Sequence, residues 1–297
     1  MAKLKSAKHH WWPEGVSKYW KNSNGDVHRI SPNGENLCIP PKNLGVIGNG
    51  HHIKLGKSPD ESTVWDESFE GQFDAADSSF PKVIDGLISI SNEIKLQSGS
   101  LSSRFVKFDL NEKEIPNLVE SMTSLVVRSP MTRSAVVQLA EQLRGPLPEP
   151  EKNKLIGLNL RNGQRTLAGS IGQSGKFVLL FSPNREFIFG DGFYCNVTSF
   201  ANPIFNPKFL VPLTPNLAVL YAKPVQYGVE PKFSSFVLQP DETDILNVAV
   251  QVYSCNEIFY RSEKPRITAF FSGGEHLRYS LTDNPVDALI RSIPGVR

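Results

Sequence analysis

Between residues 65 and 87 the apolar side chains Trp65, Phe69, Phe73, Ala76, Phe80, Val83 and Leu87 recur at steps of three and four. That spacing lines one stripe of a helix and predicts a buried face. Pro81 falls inside the stripe and is expected to kink or divide the helix, because proline lacks the amide donor and crowds the preceding turn. The same period predicts helices over about 114–127, with Leu118, Val119, Met122 and Leu125 inward, and over about 131–143, with Ala135, Val136, Leu139 and Leu143 inward. Residues 145–150, rich in proline and glycine, read as a loop. A weaker helical pattern covers 154–171, against which Gly157, Gly163 and Gly169 argue. A late amphipathic helix is expected over about 242–260 and a short one over 286–293.

Strand signals lie on either side of these helices. Asn24-Gly25 and Asn33-Gly34 suit tight hairpin turns, since both residue types tolerate positive φ. Segments 19–21, 27–30 and 37–39 therefore read as a small β-meander, and 51–55 adds a strand. In the second half, 176–181, 186–189, 216–222 and 267–271 have strand character. The expectation is an α+β fold: an N-terminal β-meander, central helices, then a C-terminal half with mixed strands and the late helix. One domain over 1–297 is expected, with sub-regions 1–150 and 151–297.

Composition changes this picture little. The chain has 297 residues, 39% hydrophobic and 21% charged, with a net charge of +2, so no global field draws it to nucleic acid or membrane. Cys38, Cys195 and Cys255 are too few and too far apart for a disulfide framework. No apolar run reaches the roughly 20 residues of a membrane span, and no signal peptide opens the chain. A cytoplasmic protein without a membrane partner is expected. Charge is nevertheless uneven. Residues 59–77 hold seven carboxylates and no lysine or arginine, which reads as a solvated acidic face. The first 21 residues carry Lys3, Lys5, Lys8, Lys18 and Lys21 among Trp11, Trp12 and Trp20. Lysines neutralise phosphates and indoles stack on bases, so nucleic acid is a candidate partner; alternatively the rings are core and the lysines solvated.

Dinucleotide, phosphate-loop, zinc-protease and serine-hydrolase signatures are missing. Two histidine pairs stand out, His9-His10 and His51-His52. Neighbours on a strand face opposite ways, so one histidine from each pair plus a carboxylate could form a metal triad; the alternative is structural histidines. Asp191, between Gly190 and Gly192 after an apolar run, suits a ligand site or a turn. Arg128 could bind an anion or cap the end of its helix.

Several of these segments together resemble the uncharacterised, mainly bacterial family called domain of unknown function 4238. The resemblance rests on His9-His10-Trp11-Trp12-Pro13 followed by Tyr19 and Trp20, on Pro41-Lys42-Asn43, on Asp74, and on Arg128-Ser129-Pro130. It continues through Phe187-Ile188-Phe189-Gly190-Asp191-Gly192-Phe193, Pro212-Leu213-Thr214-Pro215-Asn216-Leu217 and Leu246-Asn247. Gly190 and Gly192 stand where that family carries serine and asparagine. The resemblance implies an accessory protein of bacterial defence or a toxin. The functional expectation is a nuclease-like hydrolase, metal-assisted or histidine-dependent. His9, His10, Asp191 and Arg128 would be catalytic, and His10, Asp74 and Asp191 would hold a divalent metal. A non-catalytic ligand- or partner-binding protein is the alternative.

Overall fold

The long apolar stripe becomes the helix Asp74–Glu93, entered through a 3-10 turn at Glu70–Gln72. Phe69, Phe73, Ala76, Phe80 and Leu87 are buried as the spacing requires; Val83 is only partly covered and Ile84 takes the inward place. The helix runs through Pro81 as one element, so the expected division does not occur. Trp65 lies outside the described residues, which in this computed structural model are 8–56, 63, 66–94, 99–172, 174–197, 206–223, 231–274 and 284–295.

Helices Ile115–Arg128 and Pro130–Arg144 follow, separated by Ser129, whose hydroxyl accepts the Thr132 amide and so caps the second helix. The weakly signalled helix is in fact the longest, Glu149–Gly172, and absorbs the end of the expected loop. Its Gly157 is a packing device: a Cβ there would stand 2.8 Å from the Ile53 side chain and 3.3 Å from the His52 carbonyl. Glycine's helical penalty of about 1 kcal/mol is exchanged for that close approach.

The strands form a five-stranded sheet in the order Lys208–Thr214, Leu217–Ala222, Lys176–Phe181, Phe233–Val237, Val106–Lys107. Sequence reading missed the first, fourth and fifth of these. Pro212 lies in the strand at the sheet's edge, where a missing donor is tolerated. A four-stranded sheet runs Asn36–Ile39, Val27–Ile30, Ile258–Tyr260, Phe189–Gly190. Lys8–His10 pairs with Val46–Gly48, and His52–Ile53 with Glu67–Ser68.

Three local expectations change. Residues 18–20 form a 3-10 turn rather than a strand, which buries Trp20 and leads into the tight turn at Gly25. The late helix is Pro240–Tyr253 and stops before Ile258–Tyr260, a β-prone triplet that enters the sheet. The expected strand at 267–271 is a short helix, Ala269–Ser272, capped by Thr268. The architecture is α+β, with N-terminal small sheets, central helices and the mixed sheet in the second half. One main hydrophobic cluster draws on residues from Trp11 to Ile293. No helix among the described residues is long and apolar enough to cross a membrane. Phe69 is 2% exposed within that cluster, so Phe69→Ala should lower unfolding free energy in urea by about 3–5 kcal/mol.

Candidate functional site

Aromatic packing positions the N-terminal strand. Phe189 stacks on Trp12 with centroids 4.6 Å apart, on Phe259 at 4.6 Å, and meets Trp20 at 4.4 Å. Trp11, Trp12 and Trp20 are all buried, so they are core and cannot serve as stacking platforms for bases. The chain turns back at Gly45, φ +63°, whose missing Cβ leaves room for Trp12. It turns again at Asn49, φ 53°, a residue type that tolerates left-handed backbone. The second turn brings His51 beneath His9.

Strand alternation then divides the first histidine pair. His10 pairs its Nδ1 with the Leu44 carbonyl at 3.1 Å. His9 faces inward, where its Nδ1 accepts the His51 amide at 3.1 Å and its ring stacks on that of His51, centroids 4.8 Å apart. His52 meets His9 edge-on at 4.7 Å. Glu70, on the turn before the long helix, closes the group. Its Oε2 bonds His51 Nδ1 and lies 3.7 Å from His9 Nε2. His9, His51 and Glu70 offer potential ligand atoms all within 4.8 Å of one another. The cluster thus takes one histidine from each pair plus a carboxylate, with Glu70 supplied by the run that read as a solvated face.

Three more carboxylates of that run are also engaged. Asp77 pairs with Arg128, Glu67 with Arg161, and Asp66 accepts the Leu55 and Thr63 amides. Arg128 is fully buried. It pairs with Asp77, lies with its guanidinium carbon 4.6 Å from the Phe73 ring centre, and donates to the His10 carbonyl at 3.4 Å. Arg133, one turn into the next helix, donates from both terminal nitrogens to the Gly50 carbonyl at 3.1 Å and from Nε to the Arg128 carbonyl at 3.3 Å.

Burial holds these histidines neutral. It pushes His51 down to about 4, despite the hydrogen bond and charge of Glu70, with Arg128 and Arg133 adding to the effect. His9 and His52 are lowered as well, first by burial. Burial pushes the Glu70 carboxyl up, but its bond to His51 and the charges around it outweigh this and leave it below the usual range. At neutral pH an ionised Glu70 therefore accepts from a neutral His51. The His51 Nε2, buried, has no hydrogen-bond partner among the described residues.

The other expected site residues lie elsewhere or play other parts. Asp191 is buried, and its carboxylate accepts the Cys255 and Asn256 amides at 2.8 and 3.0 Å and the Asn256 side chain at 2.8 Å. Those bonds tie the Phe189–Gly190 strand to the loop after the late helix, and Asp191 is not in the histidine cluster. Gly190 and Gly192 serve the same junction: a Cβ at Gly192 would stand 1.8 Å from the Tyr253 carbonyl oxygen. Asp74 is exposed in the first helical turn, where a carboxylate favours the helix dipole, and is likewise outside the cluster. Arg128 braces the site and its pair with Asp77 takes the place of an anion. Glu70 and Arg133 escaped sequence reading. The one signal for Glu70 was an acidic run with no compensating cation; Arg133 left none. No protein-family model, curated protein or solved structure matches the chain.

Glu257 next to Asp191 supplies a test of this junction. Burial, then the Asp191 charge, raise its carboxyl to about 7, against the pull of Arg29 at 3.7 Å. The folded state therefore keeps a proton that the unfolded chain releases near 4.5, so this contribution is complete below that pH and is lost as pH rises through 7. Between pH 5 and 8 the wild type should lose about 2–3 kcal/mol relative to Glu257→Gln, read as the difference between their urea-unfolding free energies.

Proposed function

We propose that the protein is a metal-assisted hydrolase whose divalent cation is held by His9, His51 and Glu70. The observation that carries this reading is the convergence of those three side chains, from three separate turns of chain, to within 4.8 Å. Two imidazoles and one carboxylate are a donor set that suits zinc and neighbouring divalent metals. The three are not equal. His51 can move its proton from Nδ1 to the unpartnered Nε2 and so free a lone pair toward Glu70. His9 has its Nδ1 occupied by the His51 amide, which keeps the ring proton on Nε2 and makes it the weaker ligand. A bound cation would acidify water and polarise an ester. The open side lies at Glu70, whose side chain is 42% exposed, against 0% for His51.

The nucleic-acid substrate and the defence or toxin setting extend the family resemblance. A second reading, a binding or accessory protein with a structural ion, is favoured by the depth of His9 and His51, because structural sites are closed. Titration of the chelated protein with zinc and manganese in a calorimeter, alongside turnover of bis(4-nitrophenyl) phosphate, separates these. The hydrolase reading expects stoichiometric binding, with affinity and turnover both falling roughly a hundredfold or more in His51→Ala and Glu70→Gln and less in His9→Ala. Zinc binding without turnover supports the accessory reading, and a folded protein that binds neither ion ends both metal readings.

A further inference from the structure

A cleft of about 280 Å³ lies beside the histidine cluster, lined by Gly50, His52, Lys54, Arg133, Asn153 and Gly157 among others. Its inner wall carries an unusual group. Arg133 is only 9% exposed, and neither it nor Lys54 forms a salt bridge with a carboxylate among the described residues. A guanidinium withdrawn from water without a counter-ion is costly, and burial, with Arg128 nearby, lowers it to about 10, so it stays charged at neutral pH. Arginine has five N–H donors. Nε and one on each terminal nitrogen are spent on the Arg128 and Gly50 carbonyls, which lock the plane of the group. One donor on each terminal nitrogen is left without a protein partner among the described residues. Glu149 stands on the same cleft but is exposed and lies 3.3 Å from Lys152.

We propose that this cleft binds a phosphate group, held by Arg133 and Lys54, and that it is the substrate subsite of the neighbouring histidine–glutamate centre. The second half of that statement rests on the hydrolase reading; the first does not. A locked guanidinium with one free N–H on each terminal nitrogen and a flexible ammonium beside it suit an oxyanion, which accepts from several directions. His52 joins the two places, because it lines the cleft and its ring lies 4.7 Å from that of His9. Gly50 and Gly157 let backbone and helix close around the cleft: a Cβ at Gly50 would stand 3.3 Å from the Arg133 guanidinium. The volume is at the small end for ligand pockets, enough for a phosphate and the start of what it is attached to.

The test uses the full chain stripped of metal with a chelator, and calorimetry with inorganic phosphate, a mononucleotide and a short single-stranded oligonucleotide. Phosphate should bind the metal-free protein, and Lys54→Glu, at a partly exposed position, should weaken it by roughly tenfold or more with the circular-dichroism melt unchanged. Arg133→Gln should abolish it; should that variant unfold, Lys54→Glu still decides. Equal affinity for all three probes assigns the cleft to the bare oxyanion, tighter nucleotide binding to a nucleoside phosphate, and tightest oligonucleotide binding to a strand backbone. No phosphate binding, or binding unchanged in Lys54→Glu, overturns the proposal. Binding that appears only with added zinc also overturns it, since the ion would then hold the phosphate. Zinc binding absent while phosphate binding persists sinks the hydrolase reading alone.

Discussion

A buried positive charge organises the N-terminal half of this molecule. The Arg128 guanidinium has no exposure, so every contact it makes must offset the loss of water. Its charge is met by Asp77, its face by the Phe73 ring, and one N–H by the His10 carbonyl. Those three partners belong to the start of the long helix and to the first strand. Neither can drift without stranding the charge. The Arg128 carbonyl then accepts Arg133 Nε, and Arg133 fixes Gly50, the residue before the second histidine pair. The histidine cluster is therefore held through backbone atoms on both sides by two consecutive arginines.

Apolar packing completes the frame. Phe189 and Phe259 belong to the four-stranded sheet, whereas Trp12 and Trp20 belong to the N-terminal segment, and their stacking binds the two together. Aromatic pairs of this kind add about 0.5–1.5 kcal/mol beyond the area they bury. Asp191 serves the same end from the polar side, by holding the loop that precedes the Phe259 strand. Its buried carboxylate is occupied by amide donors of that loop, which is a structural use of the charge.

Arg128 is matched by Asp77, Arg133 forms no salt bridge with a carboxylate among the described residues, and burial keeps the histidines neutral beside an ionised Glu70. A divalent cation entering among His9, His51 and Glu70 would leave an excess of positive charge, and a phosphate in the adjoining cleft would remove it. The two proposed sites would thus be electrostatic complements in a low-dielectric setting, where such terms weigh more than at the surface.

The central helices, the Asn33-Gly34 turn and the strands Lys176–Phe181 and Leu217–Ala222 were legible in the chain, because each is written in local periodicity or in glycine and asparagine at turns. The edge strand with Pro212 was not, and the helix with Gly157 was only weakly so, since a sheet edge and a close helix approach exist only once neighbours are in place. For the site, the two histidine pairs and the rule that one from each could meet a carboxylate came from strand geometry alone. Which histidine of the first pair, and which carboxylate, did not. Glu70, Asp74 and Asp77 are close in sequence and chemically alike, yet the turn at Glu70–Gln72 sends one to the histidines, one to water and one to Arg128. Side-chain direction on a turn depends on what packs beneath it, and the partners here are brought in from elsewhere in the chain, His51 for Glu70 and Arg128 for Asp77.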